Sequence, residues 1–172
     1  MKKNYIFKIL VAGNASAGKT SLLVRYVEDK FDERSTMTMG VDFFIKQVNF
    51  DSGENCLLQL WDLGGQERFR HLMTSYVAGA RAALLLIDLT RDPEIKDLVQ
   101  WLNIVRLHDI NLPIVLVGTK NDLEDAIAVD DEGAEEIKNT FNLIQYFRTS
   151  AKTGQNISAV FDFIANILIK TD

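Results

Sequence analysis

One segment constrains this chain more than any other: Gly13-Asn14-Ala15-Ser16-Ala17-Gly18-Lys19-Thr20. It matches the pattern G-x-x-x-x-G-K-[ST]. It follows a mostly apolar run, Ile6 to Ala12, and precedes a segment with Leu22, Leu23, Tyr26 and Val27 at helical spacing. A strand, a glycine-containing loop and a helix in that order make a phosphate cradle. Glycine lets the backbone approach an anion and adopt unusual dihedrals. Successive N–H groups form a concavity at a helix N-terminus, where negative charge is favoured. In this pattern Lys19 reaches the β- and γ-phosphates, and the Thr20 hydroxyl serves Mg²⁺. The loop predicts nucleoside triphosphate binding without specifying the base or the reaction.

Apolar runs and helical stripes alternate along the rest of the chain. In Val41 to Phe50, the residues Val41, Phe43 and Ile45 share one phase and Val48 and Phe50 the other. That change of parity predicts a bulge, or a strand covered in part on both faces. Asp51-Ser52-Gly53-Glu54 is a turn of hairpin length, and Cys56 to Trp61 is the returning strand. Ala82 to Ile87 and Ile114 to Val117 are almost wholly apolar, as parallel strands covered on both faces are. Between them, Leu98, Trp101, Leu102 and Val105 form a helical stripe. Asp92 is its expected N-cap, with Pro93 at the first helical position and His108 near the end. Asp131 to Phe141 predicts another helix, Leu143 to Phe147 a short strand, and Ile157, Val160, Phe161, Ile164 and Leu168 a last amphipathic helix. Strands alternating with helices mean an α/β architecture with helices on both faces.

With 172 residues, two prolines and no Ser/Gly linker, the chain reads as one domain, residues 1–172. Its 19 basic and 24 acidic residues give a net charge of −5, which argues against a nucleic-acid partner. A single cysteine, Cys56, leaves no disulfide framework and no cysteine zinc cluster. No apolar run reaches the ~18 residues that span a membrane. A reduced, cytoplasmic protein is expected.

Further motifs follow in order. Gly118-Thr119-Lys120-Asn121-Asp122 comes after the apolar run ending at Val117, and Thr149-Ser150-Ala151-Lys152 lies further on. The first resembles the [NT]-K-x-D guanine motif of Ras-superfamily small GTPases, and the second resembles their third base-contacting loop. A carboxylate suits guanine because N1–H and the 2-amino group are two adjacent donors. Asp122 is therefore expected to select the base, with the stem of Lys120 against the ring and the Ala151 N–H facing O6. Trp61-Asp62-Leu63-Gly64-Gly65-Gln66-Glu67 is similar to the family's D-x-x-G-Q segment, and Gly40-Val41-Asp42-Phe43 to the G-V-D-F of its Rab branch.

What the resemblance implies is a P-loop, Ras-like fold: a six-stranded, mostly parallel sheet with one antiparallel edge strand and helices on both faces. The implied activity is that of a molecular switch binding GTP or GDP with Mg²⁺ and hydrolysing GTP slowly. Asn14, Ala15, Ser16, Ala17, Gly18, Lys19, Thr20 and Ser21 would hold the phosphates. Phe31, Lys120, Asn121, Asp122, Ser150, Ala151 and Lys152 would hold the base. Thr20 and Thr38 would ligate Mg²⁺, and Asp62 would do so through water. Thr38 and Gly65 would touch the γ-phosphate, and Gln66 with Lys19 would carry hydrolysis. Effector, exchange-factor and GTPase-activating proteins would meet Thr36 to Phe43, Trp61 and the stretch Gln66 to Tyr76, with Phe43, Trp61 and Tyr76 as an aromatic surface. The chain would act as a monomer.

Some residues depart from the family pattern. Ser16 and Ala17 replace glycine and valine, Leu63-Gly64 replaces Thr-Ala, and Ser35 stands where relatives often carry tyrosine. These changes bear on the hydrolysis rate more than on binding, and they keep open a second reading, a nucleotide-bound interaction module with negligible turnover. No arginine finger is evident, with Arg25, Arg34, Arg68 and Arg70 reading as solvated or partner-facing. The chain stops at Lys170-Thr171-Asp172, so membrane attachment would require a lipidated tail beyond it. Asp122→Asn exchanges an acceptor for a donor. Calorimetry should show guanine nucleotide affinity falling about 10- to 100-fold, with preference moving toward xanthine nucleotides.

Overall fold

The computed structural model describes residues 3–34 and 37–172. Ser35 and Thr36 lie outside that range. Six strands are present: β1 (Asn4–Ala12), β2 (Val41–Asn49), β3 (Asn55–Leu63), β4 (Ala82–Asp88), β5 (Ile114–Thr119) and β6 (Gln145–Arg148). The helices are α1 (Lys19–Glu28), a short α2 (Arg70–Met73) between 3₁₀ turns, α3 (Ile95–Val105), α4 (Asp131–Thr140) and α5 (Ile157–Thr171). The strands form one sheet in the order β2-β3-β1-β4-β5-β6. All neighbours are parallel except β2 against β3.

Period-two alternation divides the core between the two faces of the sheet. Phe7, Ile9 and Val11 of β1, with Leu84 and Leu86 of β4, pack against Leu22 and Leu23 of α1 and Val160, Phe161 and Ile164 of α5. Leu10 and Ala12 of β1, with Ala83, Leu85 and Ile87 of β4, pack against Met73 of α2, Leu98, Trp101 and Leu102 of α3, and Ala134 of α4. This double cover is why β4 and β5 read as unbroken apolar runs.

Of the two readings of β2 the second holds, and the start of α3 is corrected. β2 carries no bulge: its pairing with β3 runs without interruption from Val41↔Leu63 to Asn49↔Asn55. The parity change instead reflects an edge strand with apolar residues on both faces. Phe44 and Val48 pack on the core, while Phe43 and Ile45 are exposed. The N-cap of α3 is Glu94, not Asp92, and Pro93 precedes the helix. Glu94 is itself extended, at φ −76° and ψ 127°, so the helix opens only at Ile95 and Asp92 stays outside. The C-cap is Arg106, and His108 lies in the turn beyond.

Phe161 is fully buried, and its ring stacks on Tyr26 of α1 at 3.9 Å between centroids. Phe161→Ala opens a void under α1 and α5. Urea denaturation should show a loss of about 3–5 kcal/mol.

Candidate functional site

The parallel strands all end at one edge of the sheet, where connecting loops gather and α/β sheets hold ligands. A cavity of about 630 Å³ opens there. Ala15, Ser16, Gly18, Lys19, Thr20, Ser21, Thr38 and Gly65 line it from the phosphate-loop side. Lys120, Asp122, Ala151 and Lys152, from the loops after β5 and β6, line it too, with Phe31 from the connection between α1 and β2. Segments more than a hundred residues apart thus share one space. Asn14, Ala17, Gln66, Asn121 and Ser150 are not part of this lining.

The phosphate loop is built around a buried cation. Lys19 is 6% exposed, and its Nζ donates to the carbonyls of Gly13 and Asn14, both at 2.8 Å. An ammonium has three donors, so one remains for an anion. Ser16 takes φ +64° and Gly18, the cap of α1, φ +86°. The left-handed Ser16 costs about 1 kcal/mol, a strain the surrounding loop must hold.

The residues assigned to Mg²⁺ converge. Thr20 Oγ1 lies 2.6 Å from Thr38 Oγ1 and donates to Asp62 Oδ2 at 2.5 Å, while Thr38 Oγ1 is 3.4 Å from the same oxygen. Asp62 Oδ1 is buried without a hydrogen-bond partner, and burial pushes the carboxyl up from its ordinary range. A crowded set of hard oxygens with an unsatisfied carboxylate fits a small divalent cation such as Mg²⁺.

The base side is tied to the phosphate side. The Thr119 hydroxyl donates to the carbonyl of Ala17 at 2.7 Å. Ser150 Oγ donates to Asp122 Oδ1 at 2.6 Å and so orients the carboxylate. Asn121 bonds Gln155 at 2.7 Å and the Thr149 carbonyl at 3.0 Å, bracing the two loops against each other. Lys120 has φ +63°, and its Nζ pairs with Asp88 at 2.8 Å. Burial works to raise Asp88, but hydrogen bonds from Lys120 and Thr90 outweigh it and hold the carboxyl below its usual range.

Two arginines depart from expectation. Arg25 is not simply solvated: it donates to the carbonyls of Ala151 at 2.6 Å and Lys152 at 2.8 Å, fastening the third loop to α1. Arg70 is 4% exposed and pairs with Asp97 at 2.7 Å. No local pattern marks these partners, because each joins elements distant in sequence.

The two segments around Thr38 and Gln66 touch. The Gly64 N–H donates to the Gly40 carbonyl at 2.7 Å, and the Ala15 N–H donates to the Gly65 carbonyl at 3.2 Å. A β-carbon on Gly64 would stand 2.4 Å from the Gly40 oxygen, and one on Gly65 2.3 Å from the Ala15 nitrogen. The Gln66 amide donates to the Met37 sulfur at 2.7 Å and accepts from Arg68 at 3.1 Å, beside the cavity rather than in it. On the adjoining surface Phe43 meets Trp61 edge-on at 5.1 Å, and Trp61 lies 6.3 Å from Tyr76. Phe43 is 42% and Tyr76 40% exposed.

Lys19 also sets a pH dependence. Burial lowers its pKa to about 8, with Asp62 opposing the shift and Arg70 adding to it. A bound polyanion favours the ammonium, so binding takes up a proton once the free group begins to lose its own. Affinity should hold below about pH 8 and fall above it by up to about tenfold per unit, until the bound-state value is reached. Titration calorimetry on either side of that value should show it, and Lys19→Met should lose the slope.

The comparisons with known proteins agree with this geometry. Residues 8–170 match the Ras family. The chain is 38% identical to Ras-related protein Rab-27A of Rattus norvegicus, over 97% of this chain and 80% of that one. It is 36% identical to Ras-related protein Rab-3 of Caenorhabditis elegans, over 96% and 75%. It is 38% identical to Ras-related protein SEC4 of Saccharomyces cerevisiae, over 95% and 75%. A phosphate loop, a carboxylate lining the same cavity and a Ras-like sheet thus coincide with matches along nearly all of the sequence, and this chain belongs to the Ras family, on its Rab-like branch.

Proposed function

We propose that residues 1–172 form one guanine-nucleotide switch domain, which binds GTP and GDP with Mg²⁺, hydrolyses GTP and serves Rab-like regulation of membrane traffic. The observation that carries this reading is the single cavity in which Lys19, Thr20 and Thr38 share a wall with Asp122, Ala151 and Lys152.

Each residue has a part in that reading. Asp122, steadied by Ser150, accepts the guanine N1–H and 2-amino group, and Phe31 and the Lys120 stem cover the ring. The N–H groups of residues 15–21 and the free Lys19 donor hold the phosphates. Thr20 and Thr38 would offer their hydroxyls to Mg²⁺, with Asp62 holding it through water; bound there, the ion would offset phosphate charge. Phosphoryl transfer to water is mainly positioning and charge neutralisation. Gln66 orients the attacking water, which requires it to leave Met37 and turn toward the cavity. That displacement supports slow unassisted turnover and dependence on an activating partner. Gain and loss of the γ-phosphate would order and release the segments around Thr38 and Gln66.

The exposed aromatics Phe43, Trp61 and Tyr76 suit effector, exchange-factor and activating proteins, since such rings anchor interfaces. The chain works as a monomer in this reading. Among the described residues no helix is long and apolar enough to cross a membrane. Peripheral association would use a lipid anchor elsewhere than Cys56, which is buried in β3.

The test is single-turnover hydrolysis. Gln66→Leu should slow it at least about tenfold, because a mispositioned water forfeits the orientation gained on binding. GDP affinity should be unaltered. Equal rates for the two proteins, with GTP bound to both, would mean that Gln66 does not orient the water.

A further inference from the structure

The Asn14 side chain belongs to a different structure from the cavity beside it. Its Oδ1 accepts from Arg70 Nη2 at 2.7 Å and from Trp101 Nε1 at 3.0 Å. Its Nδ2 donates to Asp97 Oδ2 at 2.7 Å. Arg70 Nη1 closes the ring on Asp97 Oδ1 at 2.7 Å and also donates to Gln100 Oε1 at 2.8 Å. Three elements meet here: the phosphate loop, the first residue of α2, and α3. The Asp97 side chain is only 14% exposed.

The chemistry of the ring fixes every orientation. Arginine can only donate, and an ionised aspartate can only accept. Asn14 must therefore turn its oxygen to Arg70 and Trp101 and its amide nitrogen to Asp97. A largely buried guanidinium keeps its place only while its partners do. The main chain of Asn14 meanwhile supports the phosphate loop, since its carbonyl accepts from Lys19 Nζ and from the Ala17 N–H at 3.1 Å. From the other side, Arg70 closes the segment that begins with Gly65 and Gln66, and the Gly65 carbonyl already rests on the Ala15 N–H.

We propose that Arg70 and Asp97 are positioning residues: through Asn14 they pin the segment from Gly65 to Arg70 onto the phosphate loop, and so hold the backbone of Gln66 where its side chain can turn into the phosphate end of the cavity. The proposal rests on the part of Gln66 in hydrolysis. The pin predicts a specific exchange of polarity. Asn14→Asp alone sets a carboxylate against a carboxylate. Asp97→Asn alone sets a donor against a donor or, if flipped, against Arg70. Made together, the two substitutions restore every bond: the new carboxylate at 14 accepts from Arg70, Trp101 and the new amide at 97, whose oxygen accepts from Arg70.

The experiment follows single-turnover GTP hydrolysis, GDP affinity, thermal unfolding, and hydrogen exchange of residues 65–73 in GDP-loaded protein. Asp97→Asn should slow hydrolysis about tenfold and speed exchange of that segment about tenfold, with GDP affinity within about threefold of wild type. Asn14→Asp/Asp97→Asn should return exchange to within about threefold. The proposal is overturned if exchange in the double variant remains as fast as in Asp97→Asn. It is also overturned if exchange in Asp97→Asn is unchanged, or if hydrolysis falls only in step with GDP affinity. Should Asp97→Asn fail to fold, Gln100→Ala removes one Arg70 acceptor and leaves the ring; it should raise exchange about two- to threefold, and unchanged exchange there is the contrary result. Wild-type turnover in Gln66→Leu would remove the hydrolytic role while leaving the exchange measurement to decide on the pin.

Discussion

A lysine held almost out of water is the constraint around which this fold is arranged. Taking an ammonium out of solvent is costly unless carbonyls and an anion surround it. Lys19 has the Gly13 and Asn14 carbonyls on one side and Asp62 close enough to oppose the loss of its proton. To supply those partners β1 must end at Ala12, turn through a loop with left-handed backbone, and enter α1 at Lys19 itself. β3, which carries Asp62, must lie directly beside β1, as it does. The order of the strands thus answers to the same requirement as the loop.

Much of this is legible in the residues alone. The phosphate loop, the guanine motif and the doubly covered strands are local patterns with local causes. Spacing discloses the loop and the strands, because glycine, lysine and apolar runs at fixed offsets need no distant partner to be recognised; the guanine motif is legible through its resemblance to that of small GTPases. Leu84, Leu86, Val115 and Val117 announce a buried parallel sheet for the same reason. Partnerships across the sheet are not legible in this way. Arg25 and Arg70 look like any surface arginine until α1 is set beside the Ala151 loop and α2 beside α3. Trp101 reads as core, which it is, yet its indole N–H also serves Asn14.

The edge strand shows a subtler case. Apolar residues on both faces of β2 allow either a bulge or a strand covered in part on both sides; the pairing is regular, and on the outward face Phe43 leans on Trp61 while staying 42% exposed. Phe43 and Ile45 stay largely exposed because they face away from the chain's own core. A pattern that conflicts with burial in the chain's own core agrees with burial in a complex, since large apolar patches left exposed mark interaction sites.

The fastening of Arg25 to Ala151 and Lys152 carries a mechanical implication. The carbonyls it holds belong to a turn outside any helix or strand, so α1 acts as the scaffold of that turn. The same helix begins with Lys19 and Thr20. One helix therefore ties together both ends of the cavity, the phosphate loop at its first turn and the Ala151 turn further along. A protein that levered α1 by a small angle would slacken its hold on the purine and on the phosphates in one motion, and release would need no separate wedge at either end.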